Sequence, residues 1–280
     1  MHLILILAAL GLAWKIRLRW SSPIGKWADR WQRSLLLFLF PPLLLIITSL
    51  AVLFMGPGGE MVGFWDGWLS YFISISFLVI AAVSAIKLAI DSSLFLQQIR
   101  TYPLKNIASK PARILNTPAL FSAVIGFWNP EFTVSTGLLN TLNKAHLEAV
   151  ISHEKAHYYY RDTFWFFWLG WLRRLTFWLP QTKALWEELL VLRELRADAH
   201  AAREIDSLLL AEALLLVASY PHQHSDIICI IGAVGSQHQL AERIEALLTD
   251  STLPPKQLNQ WFWSWLLFTL SPLIAIPFHN

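Results

Sequence analysis

Residues 34–55, SLLLFLFPPLLLIITSLAVLFM, run for 22 positions without one charged side chain. A helix of that length reaches across the roughly 30 Å hydrocarbon core of a bilayer, and an ordinary soluble domain has no place for it. Its Pro41-Pro42 pair predicts a kink, which membrane helices tolerate. Three further stretches have the same character: residues 2–20, 69–90 and 261–278. In the first, Lys15, Arg17 and Arg19 can snorkel while Ile16, Leu18 and Trp20 stay in the interface. It has no basic start and no A-x-A-like site follows it, so it is expected to be retained rather than removed. Composition agrees: 55% of the residues are hydrophobic, only 15% are charged, and there are 15 Trp, against about 25% charged in a typical soluble domain. The expectation is a mainly α, multi-pass membrane protein with four transmembrane helices.

Charge sets an expected orientation. Lys15, Arg17, Arg19, Lys26, Arg30 and Arg33 precede the second apolar stretch, whereas residues 56–68 contain no Lys or Arg and carry Glu60 and Asp66. By the positive-inside rule the first loop is cytoplasmic, which puts both termini outside and residues 95–255 on the cytoplasmic side. Three parts result: an N-terminal membrane region (1–94), a cytoplasmic domain (95–255), and a fourth span with a short tail (256–280). The net charge of +3 is small, and the basic residues cluster beside apolar segments, so no nucleic-acid partner is expected. A single cysteine, Cys229, excludes an internal disulfide, and its apolar setting reads as a packed thiol. His222 and His224 read as loop histidines after Pro221.

Within 95–255, residues 120–127 (LFSAVIGF) and 131–139 (EFTVSTGLL) read as strands about a Trp128-Asn129-Pro130 turn. Asn143 can cap a helix over 144–160, with Leu142 and Leu147 as a hydrophobic staple. On that helix lies His153-Glu154-Lys155-Ala156-His157. Two imidazoles four residues apart share one face and can share a metal, and Glu154 stands beside them as a general base. A hydrolytic zinc takes three protein ligands and keeps a fourth position for water. Tyr160 and Thr163 occupy the places where the H-E-x-x-H-x-x-G-x-x-H pattern needs Gly and His, which excludes that class. The third ligand is instead expected from a second helix, residues 185–205. There Glu194 and Asp198 lie one turn apart among Ala197, Ala201 and Ala202, which let helices approach closely. Glu194 is the expected ligand, and Asp198 the acceptor that fixes a ligand imidazole's tautomer. Glu187, Glu188 and Glu204 are expected to be solvated.

VISHEKAHYYYRD followed by RELRADAHAA resembles the membrane zinc metallopeptidases of the BlaR/MecR antibiotic-sensor type. The upstream residues 118–150 and the downstream QHQLAERIEALL (237–248) also look like that family. The resemblance implies a gluzincin-like α+β protease domain with a small β-sheet, Zn2+ as cofactor, and Asp162, five residues after His157, as a further residue supporting the ligands. It implies cleavage of a protein or peptide substrate, such as a cytoplasmic transcriptional repressor. Those receptors continue past the fourth span into an extracellular penicillin-binding domain, whereas only His279 and Asn280 follow Phe278. The signal is therefore expected from a partner, the bilayer or the cytoplasm. The HtpX/CAAX-prenyl-protease type shares both motifs and gives the alternative, a quality-control protease. It usually places full spans between the motifs, whereas residues 163–180 here hold Arg173 and Arg174 and read as an interfacial segment, with Trp165, Trp168 and Trp171 suited to the headgroup zone. A reading of another class is a non-proteolytic signalling subunit in which zinc only ties two helices together.

The expected chemistry is metal-assisted peptide hydrolysis. Zinc on His153, His157 and Glu194 acidifies a water toward pKa ~7, and Glu154 takes its proton and passes it to the leaving amine. A substrate strand is expected to pair with an edge strand within 120–135. Tyr158, Tyr159, Tyr160, His238 and Arg243 are possible oxyanion donors.

Overall fold

The computed structural model describes residues 2–21, 25–58, 64–107, 110–219, 237–249 and 260–278. Cys229, His222, His224 and the His238 side chain lie outside the described residues. The chain divides into two compact units: residues 1–89, 168–190 and 255–280 form the first, and residues 90–167 and 191–254 the second.

The first unit is helical. It contains α1 (His2–Leu18), α2 (Trp27–Met55) and most of α3 (Phe64–Arg100). Ala9 and Ala13 of α1 are buried with Leu44 and Leu45 of α2, small residues that let the two backbones pack closely. Among the described residues, two α-helices, rather than the four expected, are long and apolar enough to cross a membrane: α2 and α3. α1 has 17 residues, which at ~1.5 Å each fall short of the ~30 Å hydrocarbon core. The C-terminal stretch is not one α-helix either. α10 (Gln260–Leu267) gives way to a 3-10 helix, Phe268–Phe278, that contains Pro272 and Pro277. Proline lacks the N–H that an α-helical ladder requires, so the regular helix ends before them.

Two polar pairs inside this unit escape a hydropathy reading. Glu188 is buried, not solvated, and forms a two-point ion pair with Arg30: Nε to Oε1 at 2.8 Å and Nη2 to Oε2 at 3.1 Å. Arg17 is fully buried too. Its Nη1 donates to Thr182 Oγ1 (3.2 Å), its Nη2 donates to the Phe38 carbonyl (3.3 Å), and its guanidinium lies over the Phe38 ring. The acceptor has a cause. Residue 42 would normally donate its N–H to the carbonyl of residue 38, and Pro42 has none to give. Arg17 therefore fills a hydrogen bond that Pro42 removed. Arg17→Met is expected to cost about 2 kcal/mol with Pro42 present and about 1 kcal/mol less in a Pro42→Ala background, where the helix satisfies its own carbonyl; a double-mutant cycle of thermal unfolding in detergent measures the difference.

The second unit is built on a four-stranded mixed sheet in the order β1-β2-β4-β3, with β1 Leu104–Ile107, β2 Lys110–Leu115, β3 Ser122–Ile125 and β4 Glu131–Ser135. β1/β2 and β3/β4 are antiparallel, while β2 and β4 run parallel. The expected strands at 120–127 and 131–139 are β3 and β4, but β4 stops at Ser135. The Ser135 side chain accepts from the Leu138 amide and starts α4 (Thr136–Thr141). At the β3–β4 turn, Gly126 adopts φ +128, a region that a side chain rarely enters.

Strand alternation gives the sheet two packed faces. Ile114 and Val134 join Leu138 of α4, Ala149 and Val150 of α5 (Lys144–Tyr159), Ala201 of α7 (Thr182–Ala201), Leu210 of α8 (Ser207–Ser219) and Leu247 of α9 (Gln237–Leu248). Leu115, Phe121 and Ile125 pack with Ile99 and Leu96 from the last turns of α3. Glu131 ties β4 to β2 and α3, accepting from Arg113 Nε at 2.7 Å and Arg100 Nε at 2.5 Å. Burial alone would raise the pKa of Glu131, but hydrogen bonds from Arg113 and Arg100 and their charge hold it below the usual value. A carboxylate depressed in the folded state stabilises above its unfolded pKa and loses that contribution as pH falls through the folded one. Glu131→Gln is thus expected to cost about 1 kcal/mol at pH 7. That difference from wild type, read by urea unfolding, narrows below about pH 4.3.

Candidate active site

Asn143 caps α5 as its residue type suggests, its side chain accepting from the His146 amide at 2.8 Å. The helix then presents His153 and His157 on one face, four residues apart. Glu194 and Asp198, one turn apart on α7, meet them. His153 Nε2 and His157 Nε2 lie 3.1 Å apart. Glu194 Oε2 is 3.3 Å from the first and 3.7 Å from the second. These three side chains could hold a metal ion, with ligand atoms all within 4.8 Å of one another. α7 spans Thr182–Ala201 rather than 185–205, a shift that leaves Glu194 and Asp198 on the helix.

The far nitrogen of each imidazole faces a carboxylate. His157 Nδ1 is 2.7 Å from Asp162 Oδ2, and His153 Nδ1 is 2.8 Å from Asp198 Oδ1. Each carboxylate is held in turn by a guanidinium. Arg243 of α9 donates to both oxygens of Asp198, at 2.7 and 2.9 Å, and Arg196 binds Asp162 Oδ1. The result is two similar chains, Arg243–Asp198–His153 and Arg196–Asp162–His157. Glu194 is steadied from its own helix by Arg193, whose Nε and Nη2 donate to Oε1 at 2.9 and 2.7 Å. Arg243 Nη1 also lies 3.5 Å from Glu194 Oε2.

Asp162 reaches His157 because α5 ends abruptly. Arg161 takes φ +53, a left-handed conformation that turns the chain, and α6 (Asp162–Leu175) starts at the next residue. Stacking anchors the start of α6. Phe164 and Phe167 lie 5.0 and 4.4 Å from the Phe127 ring, next to the β3–β4 turn, and Trp128 covers Phe164. Trp165 and Trp168 are exposed, while Trp171 donates from its indole to Ala81 O and Ser84 Oγ of α3 within the first unit.

Electrostatics fit a cation at the point where the two Nε2 atoms and Glu194 Oε2 converge. With protons on the two Nδ1 atoms, three electron-pair donors converge, and one positive species must stand among them. Protons can fill that role. Burial by itself would lower the pKa of His153, but the Asp198 charge and hydrogen bonds to Asp198 and Glu194 raise it to about 10. His157 is raised in the same way by Glu194 and Asp162, against burial. Glu194, which burial alone would raise, is driven well below its usual value, chiefly by Arg193 and His157. Burial would lift Asp198 as well, yet Arg243 and His153 keep it low. Four carboxylates (Glu154, Asp162, Glu194, Asp198) face three guanidinium groups (Arg193, Arg196, Arg243), so with neutral imidazoles the cluster carries one net negative charge. Two imidazole nitrogens and one carboxylate oxygen are a donor set of hydrolytic zinc.

Glu154 is buried, and its Oε1 accepts from Ser122 Oγ at 2.8 Å. Of the residues considered as oxyanion donors, Tyr158 and Tyr159 are exposed and Tyr160 lies under the Arg196 guanidinium. Arg243 does reach the cluster: Asp198 takes its Nε and Nη2, and its Nη1 lies beside Glu194 Oε2. Sequence reasoning missed Arg193, Arg196 and Ser122. Arg193 had a signal, being next to Glu194, the expected ligand. The contacts of Arg196 and Ser122 span 34 and 32 residues and leave no local spacing to read.

A family model described as Peptidase family M48 matches residues 114–219, a stretch that opens in β2, closes with α8 and contains His153, Glu154, His157, Glu194 and Asp198. No curated protein and no solved structure matches the chain. The family match supports a metallopeptidase acting on protein or peptide substrates, and it does not extend to the antibiotic-sensor type. Arg243 lies beyond the matched stretch.

If Asp198 orients His153, Asp198→Asn is expected to weaken metal binding by about 10- to 100-fold with little change in helix content. Titration of the chelated protein with zinc, followed by calorimetry and circular dichroism, reads both quantities.

Proposed function

We propose that this chain is a membrane-anchored zinc metalloendopeptidase. The observation that carries the reading is the convergence of His153, His157 and Glu194, with a carboxylate oxygen within 2.8 Å of each outer imidazole nitrogen and Glu154 next to His153 on the same helix. His153, His157 and Glu194 would hold the zinc ion, which supplies Lewis-acid chemistry, making water more acidic and polarising the scissile carbonyl. Glu154 accepts the proton of the attacking water and returns it to the leaving amine. Asp198 and Asp162 keep the two imidazoles in the tautomer that turns Nε2 inward. β3 is an edge strand, so an extended substrate can add to it by backbone hydrogen bonds. His157 and Glu194 keep partial solvent exposure, which leaves a way in for water.

α2 and α3 cross the bilayer as a pair in this reading, with the basic residues 15–33 on the cytoplasmic side and the protease region, taken as residues 95–255, on that same side. Trp165 and Trp168 of α6 lie in the headgroup zone. The substrate is a cytoplasmic regulator such as a transcriptional repressor, which makes the enzyme a signalling protease. The reading in which zinc only ties two helices together gives Glu154 no task, because the metal is held without it.

Purified protein decides between the two. Glu154→Gln is expected to keep one zinc per chain, measured by mass spectrometry, while cleavage of casein falls at least about 100-fold. Unchanged cleavage by that variant would sink the enzyme.

A further inference from the structure

Among the described residues, a serine that has been given no role above donates a hydrogen bond to the proposed base. Ser122 opens β3, and its Oγ donates to Glu154 Oε1 at 2.8 Å. Strand alternation explains why it faces that way. Ala123 and Ile125 point into the cluster around Ile99 and Phe121, so Ser122 and Val124 point to the other face of the sheet. The strand is pinned from one side by β4, where Ser122 is paired with Val134. The Ser122 contact takes up Oε1 of Glu154 and leaves Oε2 as the free oxygen of the carboxylate among the described hydrogen bonds, with the Arg243 charge near enough to be felt.

The terminal torsion of a glutamate is broad and roughly two-fold, so a buried carboxylate without a partner can present either oxygen over a range of angles. A donor fixed to one oxygen removes that freedom. We infer that Ser122 is a positioning residue: its hydroxyl pins Oε1 and leaves Oε2 turned to the water, a role that rests on Glu154 being the base. The strand contributes rigidity that a loop serine would lack, because ladder hydrogen bonds to β4 set where its hydroxyl stands. A group held in its working geometry before reaction lowers the barrier without tightening substrate binding, so the effect falls on kcat rather than on KM.

The test uses zinc-loaded full-length protein with labelled casein as substrate. Ser122→Ala is expected to lower kcat about tenfold, the value of one hydrogen bond to a charged group, with KM within about twofold and zinc content unchanged. Ser122→Thr, which keeps the hydroxyl, is expected to recover most of the loss. Calorimetry with a peptide hydroxamate gives a readout apart from turnover: its affinity should fall about tenfold in Ser122→Ala, because that inhibitor shares a proton with the same carboxylate. If kcat and hydroxamate affinity are unaltered in Ser122→Ala beside an inactive Glu154→Gln control, the inference is overturned and the base assignment stands. A Thr variant no better than the Ala variant also overturns it. An active Glu154→Gln control removes the base assignment and the inference together.

Discussion

Two imidazoles one helical turn apart keep both Nε2 atoms turned toward Glu194 because a carboxylate stands behind each Nδ1. That constraint organises the second unit. The negative groups are Asp162 and Asp198, and each needs its own cation, because a buried carboxylate with one neutral partner is expensive. Arg196 and Arg243 are those cations. The small sheet, the left-handed residue after α5 and the packing of α9 can all be understood as ways of delivering these groups to one place from residues 122 to 243.

Much of this was legible in the sequence, and the reason is local periodicity. Asn143, Leu142 and Leu147 fix where α5 starts. Spacings of four put His153 with His157 and Glu194 with Asp198 on single helix faces, and both pairs are found so. Glu188 shows the limit of such reasoning. It has the surroundings of a solvated helix carboxylate, yet it is buried against Arg30, 158 residues away in the chain. β4 ends earlier than its pattern suggests for a related reason: the β-propensity that runs from Phe132 to Thr136 is overridden by the Ser135 cap, which pattern alone does not reveal.

The apolar stretches taught a different lesson. Hydropathy reports that residues are apolar; it does not report that they form one uninterrupted α-helix. The stretch at 34–55 stays helical through two prolines, helped by Arg17 at the Phe38 carbonyl. The stretch at 261–278, just as apolar, changes to a tighter helix where Pro272 and Pro277 fall. For α2, a polar group from elsewhere in the chain repairs the ladder.

The turn at Arg161 carries a consequence for how this sequence can vary. A left-handed residue between α5 and α6 acts as a fixed spacer: deleting one position there would bring Thr163, and adding one Arg161, to the place of Asp162 and strip His157 of its carboxylate. Exchange for glycine would relieve the backbone, whereas β-branched valine or isoleucine is rarely accommodated at such a φ. Drift among relatives of this protein should therefore be wide in side-chain type on the exposed tyrosines just before it and nearly frozen in length across it.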